Sequence, residues 1–236
     1  MPKGKLFIIT APSGAGKTTL VDALVKQDTK LQVSVSHTTR PKRSKEVDGV
    51  NYHFIDKTRF MSMLEAGDFL ESAEVYDNHY GTSQSWVQEQ LDQQRDVILE
   101  IDWQGAAQVR NLMPEACFIF ILPPSLEALT ERLRHRAQDD EDTIEGRMRQ
   151  ARGVIEHVAE ADFIVVNDDF DTALADLQAI IRSQRLTTIH QQRNLADLLT
   201  SLIQGLQIKP GSDLRNPIFK EEALCHLAKA NCYHQS

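Results

Sequence analysis

The chain has 236 residues, 41% hydrophobic and 25% charged, which suits one domain, or one domain with insertions, around a full core. A net charge of −8 excludes a general nucleic-acid binder, so an anionic ligand must be held by a local cluster of Lys and Arg. Three cysteines, Cys117, Cys225 and Cys232, are too few for a disulfide framework and point to a reducing compartment.

Lys3 and Lys5 precede an apolar run that ends at Pro12 and a small-residue loop, shorter than a signal-peptide core. No stretch approaches the length of a membrane span, so a cytoplasmic protein without a membrane partner is expected. The run from Leu6 to Thr10 reads as a buried strand, and Leu20, Leu24 and Val25 share one face of a following helix. Between them lies Ala11-Pro-Ser13-Gly14-Ala15-Gly16-Lys17-Thr18-Thr19. Strand, glycine loop and helix together form the context of a phosphate-binding loop, although Ala11 stands where the usual pattern begins with Gly. Backbone N–H groups from Ser13 to Thr19 would form a concave site for the phosphates of a ligand. Lys17 reaches the terminal phosphates, and the Thr18 hydroxyl is the expected Mg²⁺ ligand.

Leu31–Ser36 alternates as a second strand and leads into the basic loop His37-Thr-Thr-Arg40-Pro-Lys-Arg43-Ser-Lys45. Asp48-Gly49 is a hairpin-type turn and Asn51–Ile55 a short strand. Lys57–Glu65 reads as an amphipathic helix stopped by Gly67, and Asp68–Val75 as extended chain. Ser83 is the predicted N-cap of a helix running to Arg95. Val97–Asp102 is a buried strand ending in acid, where a parallel sheet places groups that manage Mg²⁺. Cys117–Leu122 is another strand, with a helix from Ser125 onward. The segment Glu131–Arg152 runs basic, acidic, basic and reads as a helical hairpin, with Asp142 and Glu145 forming a capping box. A strand at Asp162–Asn167 precedes one long helix from Asp171 to about Leu206. Alternating strands and helices predict an α/β parallel sheet.

With these pieces in place the chain resembles the bacterial guanylate kinases, from Lys3 to about Thr200. The resemblance rests on the phosphate-binding loop together with Ser36-His-Thr-Thr-Arg40-Pro-Lys-Arg43, Glu46-Val-Asp-Gly49-Val-Asn-Tyr52, Phe69-Leu-Glu71 and Asn78-His-Tyr80-Gly-Thr82. It is carried further by Ile98-Leu-Glu100-Ile-Asp102-Trp-Gln-Gly105, Pro123-Pro-Ser125 and Val166-Asn167-Asp-Asp169. It implies a P-loop NTPase-type parallel sheet flanked by helices. Residues 1–33 and 83–206 would form the core, with a helical lid at about 125–155, and residues 34–82 a small mixed β/α insertion that binds the monophosphate. It further implies that Arg40, Arg43, Tyr52 and Tyr80 hold the GMP phosphate. Ser36, Glu71 and Thr82, with Glu100 and Asp102 nearby, address guanine and the acceptor site. Arg132, Arg136 and Arg147 reach the ATP phosphates, and Asn167 lies by the adenine. Lys17, Arg136 and Arg147 are the implied catalytic set.

The implied reaction is ATP + GMP giving ADP + GDP, in a monomer or small homo-oligomer. A phosphate monoester is largely dianionic at neutral pH, its second pKa being about 6, so no general base is required. The alternatives are a non-catalytic interaction module of the same fold, or a related kinase with another small acceptor. Lys17, Thr18 and the lid arginines speak against the first, and the set Glu71, Tyr80 and Thr82 against the second. Two departures stand beside matched residues, His79 and Trp103. The segment 207–236 forms an extension without a family motif. In it, residues 218–230 are a predicted short helix, and Cys225, His226, Cys232 and His234 follow no zinc spacing.

Overall fold

The computed structural model describes residues 3–75, 77–136 and 141–205, and within these it leaves out the side chains of residues 135, 136 and 141–145. The extension 207–236 with its helix, cysteines and histidines therefore lies outside the described residues, as do the side chains of the capping pair Asp142 and Glu145.

Five short apolar runs build a wholly parallel sheet. They are β1 (Leu6–Thr10), β2 (Leu31–Val33), β7 (Asp96–Glu100), β8 (Cys117–Leu122) and β9 (Phe163–Val166), in the order β2-β7-β1-β8-β9. Burial on both faces explains why these strands read as continuous apolar runs. Phe7 and Ile9 of β1 face α1 (Lys17–Gln27) and α7 (Phe170–Arg185), packing with Leu20, Val21, Leu24, Leu174, Leu177 and Ile181. Leu6 and Ile8 point the other way, into Val87 and Leu91 of α3 (Gln84–Asp92) and Ala106 and Val109 of α4 (Trp103–Leu112). Parallel pairing puts the carboxyl ends of β1, β7, β8 and β9 on one edge, where doubly wound sheets bind ligands.

A second sheet occupies the stretch between β2 and α3. Its order is β4-β3-β6-β5, from β3 (His37–Thr38), β4 (His53–Phe54), β5 (Phe69–Val75) and β6 (Asn78–Ser83), with α2 (Lys57–Glu65) between β4 and β5. The predicted strand Leu31–Ser36 is thus shared. The chain leaves the first sheet after Ser34, whose N–H still bonds Ile98 O at 3.0 Å, and enters the second at His37. Asp56 caps α2 through Arg59 N at 2.8 Å, and Ser83 caps α3 through Trp86 N at 3.3 Å. A pair of helices, α5 (Leu126–Arg136) and α6 (Glu141–Ile155), follows β8, and Leu129, Leu133 and Ala151 form their shared apolar contact.

The single helix expected from Asp171 to Leu206 is instead three: α7, α8 (Thr188–Asn194) and α9 (Ala196–Gly205). The first break has a local cause. Arg185 is drawn to the sheet edge, where its Nε meets Asp96 Oδ2 at 2.5 Å and its Nη1 meets Asp28 Oδ2 at 2.6 Å. The β-branched pair Thr187-Thr188 follows at once, and the Thr187 hydroxyl donates back to Gln184 O at 3.2 Å. The described residues from Leu195 to Gly205, including α9, belong to a separate unit from those up to Asn194. No helix among the described residues is long and apolar enough to cross a membrane.

Asp96 is buried and also accepts the Lys5 N–H at 2.6 Å, so Arg185 neutralises a carboxylate that has little access to water. Arg185→Ala strands that charge and should lower stability by about 2–4 kcal/mol. A chain of this size then melts roughly 5–12 °C lower. Thermal unfolding followed by circular dichroism checks this.

Candidate active site

The loop after β1 is shaped by two glycines in the left-handed region, Gly14 and Gly16, both at φ 92°. Each also makes room for a neighbour. A side chain on Gly14 would press on Leu129 and Leu133 of α5, and one on Gly16 would stand 2.3 Å from the Asn167 amide nitrogen. That amide donates to Ala15 O at 2.7 Å, so the residue after β9 braces the loop at the same edge of the sheet. Arg132 of α5 donates through Nη2 to Asn167 O at 2.9 Å. Its Nη1 is buried and makes no hydrogen bond within the described structure, as suits a donor meant for an anion. These features fit a nucleotide triphosphate: a backbone cradle at the start of α1 and an uncommitted guanidinium donor nearby.

Lys17 and Thr18 open α1. Burial pushes the Lys17 ammonium below the ordinary lysine range, and the negative charges of Glu100 and Asp102 oppose that shift. The Thr18 hydroxyl donates to Glu100 Oε2 at 3.1 Å. Hydroxyl and carboxylate oxygens are hard donors of the kind Mg²⁺ accepts when phosphates and water complete its shell. Asp102 has a second task that was not legible in the sequence. It is the N-cap of α4, accepting the Gly105 N–H at 2.9 Å.

A cavity of about 220 Å³ opens from Lys17 and is lined by Ser36, Tyr52, Glu71, Tyr80, Glu100 and Asp102, among others. The second sheet supplies Glu71 and Tyr80, and Ser36 and Tyr52 directly precede its strands β3 and β4. Glu71 is only 4% exposed, and the Thr82 hydroxyl donates to its Oε1 at 2.5 Å. Ser36 Oγ lies 3.4 Å from Thr82 Oγ1, so the three residues form one chain of polar atoms. The pairing of β5 with β6 shifts register between Phe69 and Glu71, an irregularity of the kind that re-aims a side chain. Burial raises the Glu71 carboxyl to about 7, with a further push from the Asp102 charge that the Thr82 hydrogen bond only partly offsets.

Arg40 lies over the Tyr52 ring at 5.4 Å, and the Tyr52 and Tyr80 rings are 5.9 Å apart. The guanidinium is already engaged. Nη1 and Nη2 meet the two Glu46 oxygens at 3.0 and 2.7 Å, which together with the Arg43 N–H holds the Glu46 carboxyl near about 2. Arg43 is exposed on that loop and lines no part of the cavity. Arg147 lies half-buried on α6, while the Arg136 side chain lies outside the described residues. Sequence reasoning missed the Glu46 clamp, because an Arg and an acid six residues apart in a loop carry no periodic signal. His79 stacks on Phe60 with centroids 5.3 Å apart, and Trp103 on His157 at 3.5 Å, so both departures serve packing. A larger cavity of about 320 Å³, among Lys3, Leu91, Met113 and Arg193, has no phosphate-binding loop in its wall.

A phosphate-binding loop that faces a buried carboxylate across a cavity this small defines a P-loop kinase acting on a small acceptor. The sequence model of the guanylate kinase family matches residues 3–184. A guanylate kinase of Alkalilimnicola ehrlichii is 56% identical over 200 residues, covering 85% of this chain and 98% of its own. One of Coxiella burnetii is 54% identical over 204 residues, covering 86% and 99%. The crystal structure of a guanylate kinase from Anaplasma phagocytophilum superposes with a TM-score of 0.70 at 29% identity, covering 86% of this chain and 97% of that one. The chain belongs to the guanylate kinase family, and so to the ATP:GMP phosphotransferases.

The raised Glu71 carboxyl sets a pH dependence of stability. A folded-state value above the unfolded one means a stability contribution present below 4.5 and lost as pH rises through about 7. Unliganded Glu71→Gln should therefore melt several degrees above the parent at pH 8, with the gap closing towards pH 5. Paired melting curves at the two pH values check the sign.

Proposed function

We propose that the cavity holds GMP with its base against Glu71 and its phosphate towards Lys17, and that ATP binds along the loop 13–19. The observation that carries this reading is the buried Glu71 carboxylate, fixed by Thr82 in a cavity that opens on the phosphate-binding lysine. A carboxylate in that position accepts from guanine N1–H and the exocyclic amino group together. Adenine offers an unprotonated ring nitrogen and no matching amino group. Ser36 continues the polar chain from Thr82 and completes the base side.

Tyr52 and Tyr80 offer phenolic donors to the GMP phosphate, and Arg40 supplies positive charge beside them. For Arg40 to fork onto phosphate oxygens its hold on Glu46 must loosen, so Glu46 acts as a stand-in for the missing anion. Arg43 joins the phosphate only when its loop moves inward. On the ATP side Lys17, Arg132 and Arg147 counter the charge of the transferring group, with Arg136 at the end of α5. Asn167 acts first as the brace of Ala15 and from there borders the adenine. A Mg²⁺ ion would be held by Thr18, with Glu100 and Asp102 behind it, and would supply positive charge against the ATP phosphates.

The nucleophile is a phosphate oxygen of GMP, already ionised, so the protein's task is alignment and charge neutralisation. Water competes as acceptor, which assigns the helical pair α5–α6 the task of closing over ATP once GMP is seated. Residues 34–82 act as the monophosphate-binding insertion on the core built around the parallel sheet. A purely non-catalytic module would have no use for Lys17, Thr18 and the open donor of Arg132.

The test is phosphoryl transfer from ATP to GMP, AMP, CMP and UMP in turn. The expected preference for GMP over AMP in kcat/KM is about 10⁴-fold or more. Equal turnover of AMP would refute the placement of Glu71. Lys17→Met should lower kcat by roughly 10²–10³-fold without loss of the fold. Arg147→Ala should lower kcat more than it raises the KM for GMP. An effect confined to that KM would move Arg147 to the GMP side.

A further inference from the structure

We infer that Gly105 is a positioning residue for base selection: its missing side chain is the space in which the Glu71 carboxylate sits. This rests on the proposed guanine-binding role of Glu71. Gly105 is the third residue of α4, and its N–H is taken by the Asp102 cap. Its backbone does not require glycine, since it is absent from the left-handed positions, which include Gly14, Gly16, Gly49 and Gly67. Helix propensity alone favours alanine there. What glycine supplies is room. A Cβ at this position would stand 2.5 Å from Glu71 Oε2 and 3.2 Å from Glu71 Cδ, with Ile101 Cδ1 at 3.3 Å.

Neither backbone is free to retreat. The Gln108 amide of α4 clamps the Ser72 peptide of β5 on both sides, accepting its N–H at 3.1 Å and donating to its carbonyl at 2.8 Å. Glu71 precedes Ser72 directly, so strand and helix are pinned one residue from the contact. The mobile partner is the far end of the Glu71 side chain. An added methyl therefore leaves the fold in place and evicts the carboxylate from the position where Thr82 holds it. The helix start thus does two jobs at once, with Asp102 capping α4 and Gly105 opening the seat for Glu71. A glycine inside a helix, where it lowers helix stability, is the sequence signal of such a close approach.

The experiment compares the full chain with Gly105→Ala, Glu71→Ala and the double variant. Gly105→Ala should melt at or above the parent temperature. Its kcat/KM for GMP should fall roughly 10²-fold, the scale of an ångström misplacement in a site. Its KM for ATP and its weak AMP turnover should stay within about twofold, since neither depends on the seat. In the Glu71→Ala background there is nothing left to displace, so adding Gly105→Ala should change GMP turnover no further. Parent-like GMP kinetics in Gly105→Ala would overturn the inference, and so would equal losses for GMP and ATP, or additive effects in the double variant. Failure of the parent chain to use GMP would overturn the underlying functional reading, and this inference with it.

Discussion

One buried negative charge organises the acceptor half of this protein. A carboxylate that is 4% exposed loses most of its hydration, and here the loss appears as a carboxyl pushed up to about 7. Folding tolerates such a group only where partners are supplied. Thr82 supplies one hydrogen bond, and the α4 backbone leaves a gap of the right size at Gly105. The second sheet holds this arrangement together. β5 carries Glu71, β6 carries Thr82, and the register shift ahead of Glu71 turns it towards the cavity. The remaining hydrogen-bonding capacity of the carboxylate is what a guanine edge would satisfy.

The phosphate half rests on a different economy of space. Glycines at positions 14 and 16 let α5 and the Asn167 amide come close to the loop backbone. The Asn167–Ala15 bond and the Arg132–Asn167 bond then tie the loop, the end of β9 and the first lid helix into one unit. Lys17 joins the two halves, because the charges that sustain its ammonium, Glu100 and Asp102, lie at the end of β7 and the start of α4. Asp102 also raises the Glu71 carboxyl, so the same acid acts on both Lys17 and Glu71.

Much of the framework was readable from residue order. The helix Lys57–Glu65 and the strand Cys117–Leu122 occur where periodicity places them, because each has a strong apolar pattern and clear boundaries. The phosphate-binding loop was legible because its function requires glycine, lysine and a hydroxyl in contiguous positions. The acceptor site was less so. Glu71, Thr82 and Ser36 come from three separate segments, and only their resemblance to known motifs linked them before the sheet brought them together. The Arg40–Glu46 clamp and the break after Arg185 depend on contacts between distant groups or across an irregular loop, which carry no local period. His79 and Trp103, departures beside matched motifs, stack on Phe60 and His157, contacts between separate segments that residue order does not reveal.

The central claim is that Glu71 reads the base rather than shaping the cavity. The most direct measurement is kcat/KM for GMP and for AMP in the parent and in Glu71→Gln at pH 8, where the parent carboxylate is ionised. Glutamine keeps the size and the Thr82 contact, but replaces one acceptor oxygen with a donor. The account predicts a fall of roughly 10²–10³-fold for GMP, with AMP unchanged within about threefold or improved. Equal losses for both nucleotides would contradict it and reduce Glu71 to a structural acid.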